Sequence, residues 1–291
     1  MAARDLVLVL MLVILWGSTF TAMKIGVVDL PPLLINTLRF ALSAFPAILF
    51  IPHPKVPLWT LVSFGLILFG VKFTVLFAAL KLGLPAGLAS IVLQMQVFFT
   101  IFFAFLILGE RPSRLSLIGA GMALIGMLIF AEEKIENAAL VPFLLALLAA
   151  TLWGFANIIV KKAKAPDILS FVVWASAVAT PVLFAASLIV DGPQRVFSIL
   201  AAPGWTTILV TLYLSFGATL FGYSVWNGLI SRYPVAKVGP FALLIPVSGL
   251  ACGAIFLGET FSVQAMIASA IVFLGLMINV FGDRIVTRMR G

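Results

Sequence analysis

Residues 6–25 read LVLVLMLVILWGSTFTAMKI, a twenty-residue run whose single ionisable side chain, Lys24, comes next to last. About 20 predominantly apolar residues are what a helix needs to cross the hydrocarbon core of a bilayer. Inside lipid every backbone N–H and C=O must be paired within the chain, which leaves only helices and closed barrels. Barrel strands alternate in and out over about ten residues, and this run does not alternate. A cleaved leader is the competing reading, with Arg4 as its basic start. The run is longer than a leader's apolar core and no small-x-small site closes it, so it is expected to stay as a first spanning helix.

The same pattern recurs outward from there. The chain is 63% hydrophobic and 10% charged, with a mean hydropathy of +1.25. A soluble domain carries about 25% charged residues, so lipid is the solvent for most of this surface. Prolines, glycines and charges cut the chain into predicted spans at 5–27, 33–51, 58–80, 86–108, 114–131, 139–160, 168–190, 205–229, 234–257 and 262–282. The expected fold class is an all-α membrane protein of about ten transmembrane helices. The acidic stretch 132–137 reads as a mid-chain linker and 284–291 as a cytoplasmic basic tail.

The two halves repeat. Leu15-Trp16-Gly17 with Lys24 returns as Leu152-Trp153-Gly154 with Lys161, and Leu108-Gly109-Glu110 returns as Leu257-Gly258-Glu259. Pro85 and Pro234, and Gly126 and Gly275, keep the second spacing. Several matches in one order, each at the same place in a five-helix unit, mark an internal repeat, with units at 1–131 and 138–283. Five passes is an odd number, so the second unit enters the membrane from the opposite side. Inverted repeats of this kind place a substrate site near the midplane between the halves. With the N-terminus inside, the cytoplasmic segments hold Arg4, Lys55, Arg111, Arg114, Lys161, Lys162, Lys164, Arg232, Arg284, Arg288 and Arg290, against Lys81, Lys134 and Arg195 outside. Positive charge concentrates on the cytoplasmic side, so both termini are expected there.

Other function classes find little support. The net charge of +8 is spread over short gaps between apolar runs, so it points to topology and not to nucleic acid. One cysteine, Cys252, and one histidine, His53 in a Pro-rich turn, leave no metal cluster, and no cofactor is expected. An intramembrane enzyme needs paired carboxylates, a metal cluster or a nucleophile with its base inside the spans, and none is evident. A channel or a structural protein accounts less well for inverted repeats with polar residues at mid-depth. A carrier for a small molecule in a lipid bilayer is the reading that remains.

The chain resembles the drug/metabolite transporter superfamily, EamA type, along essentially its whole length. The motifs are Trp16-Gly17 through Lys24, Leu38-Arg39-Phe40, Pro85-Ala86-Gly87-Leu88-Ala89-Ser90, Leu108-Gly109-Glu110-Arg111, and the copies Trp153-Gly154 and Leu257-Gly258-Glu259. Pro54-Lys55-Val56-Pro57, Leu88-Ala89-Ser90-Ile91-Val92-Leu93-Gln94 and Ile278-Asn279-Val280-Phe281-Gly282 are similar to its O-acetylserine/cysteine exporter branch. The resemblance implies export of small amino acids or related metabolites across a bacterial inner membrane by alternating access. Aromatic amino acids are the alternative cargo on the same fold. Lys72 departs from the branch, where a neutral polar residue is expected.

Polar groups inside a membrane are costly and tend to face a cavity or the bundle interior. Lys72 lies about 20 Å of helical rise from the start of its span, where it is placed to attract a substrate carboxylate; snorkelling or pairing with a backbone carbonyl competes. Arg39 offers a guanidinium that forks onto a carboxylate, or else clamps loop carbonyls. Gln94 and Ser90 share a small, polar stripe with Gly83 and Gly87, while Gln96 points the other way. Trp16 and Trp153 sit near mid-span, Asn157 follows Trp153 by one turn, and Trp174, Tyr223, Trp226 and Asn227 add polar-edged aromatics. Each reads as cavity wall or as packing. Pro240 and Pro246 are candidate hinges for alternating access, or static bends. No carboxylate lies at mid-span, so coupling falls to Lys72 or to substrate protonation, or the carrier is a facilitator.

Overall fold

The computed structural model describes residues 2–136, 140–163, 167–232, 241–242 and 244–290. Every regular element among them is helical. They are α1 (Ala3–Asp29), α2 (Pro32–Ala44), α3 (Leu58–Lys81), α4 (Ala86–Leu108), α5 (Arg114–Glu136), α6 (Leu140–Ala163), α7 (Ile168–Val190), the short α8 (Pro193–Ala201), α9 (Trp205–Leu212, Tyr213–Phe221 and Gly222–Arg232 in continuous succession), α10 (Leu244–Leu257) and α11 (Val263–Arg290). Seven of the described helical stretches are long and apolar enough to cross a membrane, α2 being counted with the turn after it as Pro32–Leu49, and Arg114–Ile129, Leu244–Leu257 and Val263–Asn279 are shorter apolar helices.

Local chemistry sets the boundaries. Pro32 opens α2, where a missing N–H costs nothing. Gly109 and Gly258 close α4 and α10 with positive φ, 69° and 63°, and the N–H of the next residue, Glu110 or Glu259, reaches back to the carbonyl of Ala104 or Gly253. That left-handed cap suits glycine because it has no Cβ.

Four boundaries differ from expectation. Helix α2 stops at Ala44, short of 51, because Pro46 has no N–H to continue it; a 3-10 turn, Ala47–Leu49, follows. The acidic stretch expected as a linker is helical through Glu136: Glu and Lys are good helix formers and no Gly or Pro interrupts them. The expected basic tail likewise continues α11 through Arg290, with no Gly or Pro between 283 and 290 to stop it. Helix α8 fills a segment expected as loop, opened by Gly192-Pro193.

Three spans change their winding. Gly65–Lys72 in α3 and Tyr213–Phe221 in α9 are π-helical, and Leu93–Met95 in α4 is a 3-10 turn. A π segment loosens the backbone ladder and frees carbonyls. Asn36 on α2 serves those of α3, its Nδ2 donating to Phe69 O at 2.6 Å, Gly70 O at 3.2 Å and Thr74 Oγ1 at 3.0 Å. In α9 the Thr219 hydroxyl donates to Leu214 O at 2.8 Å.

The closest-packed helix pairs are α5 with α11, α3 with α6, α4 with α6, α2 with α7, α1 with α9, and α1 with α10. Numbering the ten long helices in order and exchanging the first five with the second five turns this set into itself. The α5–α11 seam is built on glycines: a Cβ on Gly119 would run into the Gly275 carbonyl, and one on Gly275 into that of Gly119. Small residues let backbones approach this closely, which is how helices associate without a hydrophobic drive. Between α2, α3 and α7 lies an aromatic core in which Phe40 stacks on Phe69 at 4.4 Å and Phe64 meets Phe171 edge-on at 4.8 Å.

Candidate functional site: two buried cations on one aromatic ring

Lys72 ends the π segment of α3, and Arg39 projects from α2. They are 2% and 5% exposed. Both stand over the ring of Phe73: Lys72 Nζ is 3.5 Å from its centroid and Arg39 Cζ 4.2 Å. Lys72 Nζ also lies 4.5 Å from the Trp153 ring, and Arg39 Cζ 5.4 Å from that of Phe40. Arg39 Nε and Nη2 donate weakly to Thr219 Oγ1, at 3.4 and 3.3 Å. Its Nη1 is buried without a partner among the described residues. The Lys72 ammonium makes no hydrogen bond, and no Asp or Glu pairs with either cation among the described residues.

That arrangement is energetically exposed. Removing an ion from water costs several kcal/mol even after relaxation. A desolvated cation–π contact returns about 2 kcal/mol, and the two like charges on one ring repel. Among the described residues no acidic side chain offsets these two buried cations.

The aromatic flank comes from α1, α6 and α9. Trp153 and Tyr223 pack against the Phe40–Phe69 core. Trp16 meets Tyr223 at 5.8 Å and Trp226 at 5.6 Å between ring centroids, and its Nε1 donates to Ala218 O, a π-segment carbonyl, at 2.9 Å.

The other candidates lie elsewhere. Gln94 Nε2 donates to Ala242 O at 3.5 Å, and its side chain lines a crevice of about 180 Å³ between α4, α10 and α11. Ser90 donates to Gly87 O at 2.6 Å and Pro246 O at 3.3 Å, in a seam where a Cβ on Gly249 would overlap its side chain. Pro246 sits in the first turn of α10. Asn157 turns to Gln96 Oε1 and Thr100 Oγ1, both at 2.9 Å. Trp174 donates to Ile51 O at 3.1 Å and meets His53 edge-on, so it belongs to a helix end and not to the cation cluster. The Asn227 side chain and Pro240 lie outside the described residues.

Sequence reasoning passed over Asn36, Thr219 and Glu259 as site-forming residues. An amide within an apolar stretch was the available signal for Asn36, whose Oδ1 is buried without a partner among the described residues. Glu259 accepts from Ala86 N at 2.5 Å and Gly87 N at 3.0 Å, the first amides of α4. Beside it Lys24 Nζ donates to Leu80 O at 2.6 Å and Leu84 O at 3.1 Å. Both side chains line an open crevice of about 470 Å³ with Asp29 and Thr206. The repeat-related residues, Lys161 and Glu110, form an ion pair at 2.6 Å that is half exposed.

Residues 4–131 and 140–281 match the EamA-like transporter family. The chain is 41% identical to the "Probable amino-acid metabolite efflux pump" of Salmonella typhimurium, over 98% of this chain and 97% of that one. It is 41% identical, over the same shares, to the protein of that description from Escherichia coli K12. A solved structure described as "Crystal structure of protein" superposes with a TM-score of 0.59 at 19% identity, over 96% of this chain and 98% of that one, which is a likeness of fold.

Proposed function

The chain belongs to the EamA-like transporter family, and from that footing we propose that it exports amino acids or their metabolites across the bacterial inner membrane. The observation that carries the choice of site is the pair Lys72 and Arg39, buried on the Phe73 ring with no acidic partner among the described residues. A substrate carboxylate supplies the charge that the protein withholds. Trp153, Tyr223, Trp16 and Trp226 form the wall, and Asn157 acts through Gln96. Gln94 and Ser90 belong to the α4–α10 contact that moves when the path opens.

The reading extends to architecture and cycle. Two five-helix units, 1–131 and 138–283, cross in opposite senses with both termini cytoplasmic. The exchange symmetry of the helix contacts supports this, as does the recurrence of a π segment in α3 and α9. Alternating access then switches which end is closed, with Pro240 and Pro246 as hinges. The resemblance to the O-acetylserine/cysteine branch favours small polar cargo over aromatic amino acids.

Counterflow in proteoliposomes tests the reading. Full-length protein, preloaded with a panel of amino acids and their acyl derivatives, should exchange at least one labelled member. Lys72→Met should lower that exchange at least tenfold while leaving detergent elution and melting temperature near wild type. Exchange of no member of the panel, in protein that folds, would end the carrier reading.

A further inference from the structure

We propose that the Lys72–Arg39 site selects cargo of net negative charge, namely an amino-acid derivative whose amine is acylated or which bears a second carboxylate. The inference rests on reading this pair as the substrate site. Charge counting leads to it. Two cations stand on one ring, and the groups around them are aromatic faces and a threonine hydroxyl. A free amino acid brings one carboxylate and one ammonium. Its carboxylate would satisfy Arg39 Nη1 or Lys72 Nζ, but its ammonium would enter as a third cation. Such an ammonium needs an anionic acceptor, and no Asp or Glu pairs with the cluster among the described residues.

A cargo without that ammonium leaves no such conflict. Its carboxylate can take the fork of Arg39 and the point charge of Lys72 together. Asn36 lies one turn before Arg39 on α2, and its Oδ1 is buried without a donor among the described residues. A neutral carbonyl oxygen suits the N–H of an amide, as in an N-acylated amino acid, and is a poor sole partner for an ammonium beside two cations. Lys72 is the selecting residue, because it adds the second charge that Arg39 alone would not supply.

The sharpest probe is a pair of isomers, N-acetylserine and O-acetylserine. They have the same atoms, but at mildly acidic pH the first carries one net negative charge and the second none. Full-length protein in proteoliposomes should exchange labelled N-acetylserine at least tenfold faster than O-acetylserine, with aspartate also faster than serine. Lys72→Gln should bring the isomer ratio close to one, while Lys72→Arg should keep it. A wild-type protein that exchanges O-acetylserine as fast as its isomer would overturn the charge inference and leave the carrier intact. A preference for N-acetylserine that survives in a folded Lys72→Gln protein would remove Lys72 from the selecting role. If no compound is exchanged at all, the carrier reading itself falls.

Discussion

The carboxylate of Glu259 accepts a hydrogen bond from the backbone N–H of Ala86, 173 positions earlier in the chain. Gly87 donates to the other oxygen, so one side chain satisfies the first two amides of α4. Helix N-termini attract anions because their leading N–H groups lack partners. Here the anion arrives from the loop after α10, while Lys24 of α1 ties the carbonyls of Leu80 and Leu84. Four helix ends, those of α1, α3, α4 and α10, are knotted at one point. The sequence-related pair Lys161–Glu110 is half exposed and binds side chain to side chain.

These two ends should respond differently to mutation. Glu259→Ala removes a helix cap, a loss of about 1 kcal/mol, and should lower the melting temperature by about 2–4 °C. It should also speed maleimide labelling of a Thr206→Cys reporter in the adjoining crevice. Lys161→Ala breaks an exposed pair with a typical contribution of ~0–1 kcal/mol, and should leave melting nearly unchanged. Equal effects from both variants would refute a clamp confined to the Glu259 end.

Asn36→Leu should be more damaging than its conservative volume suggests. It strands the carbonyls of Phe69 and Gly70, which the π winding has released. An unsatisfied buried group costs about 1–3 kcal/mol. Thermal melting should drop by several degrees, and substrate exchange should fall with it, since those carbonyls lie within one turn of Lys72. Intact melting would show that the helix rewinds without help.

A contrast between two nearby glycines tests the α5–α11 seam. A side chain on Gly119 meets the Gly275 carbonyl, whereas one on Gly121 meets nothing within 4 Å. Gly119→Leu should reduce the yield of monodisperse protein severalfold, by overpacking of about 1–3 kcal/mol or more. Gly121→Leu should match wild type in the same gel-filtration assay.

Much of this architecture is legible in the residues. Prolines, glycines and charges mark where the long helices begin and end, and Lys72 and Arg39 stand out because a cation in lipid demands a reason. What escaped arises from contacts between distant segments. Gln94 and Gln96 point to different partners, as their spacing implies, but the 3-10 turn Leu93–Met95 between them is not readable from that spacing. Downstream of it Gln96 meets Asn157, a pairing no local pattern announces. The two π segments are equally silent in the sequence, since partners on another helix stabilise them. The helical reach of α5 to Glu136 was hidden for the opposite reason: charge was read as a boundary where only Gly or Pro would have enforced one.

The described spans hold no carboxylate at mid-depth; Glu110 and Glu259 cap helix ends and Asp5 opens α1. Among the described residues no mid-span carboxylate is available as a proton acceptor to be loaded and emptied in step with the cargo. If the cargo is an anion, none is required. A cell that is electrically negative inside already repels it outward, by about 2.3 kcal/mol per unit charge at 100 mV. In this arrangement the membrane voltage alone would hold a monoanionic compound about fifty-fold more dilute inside than outside. A valinomycin-set potential, and not a pH step, should then govern efflux.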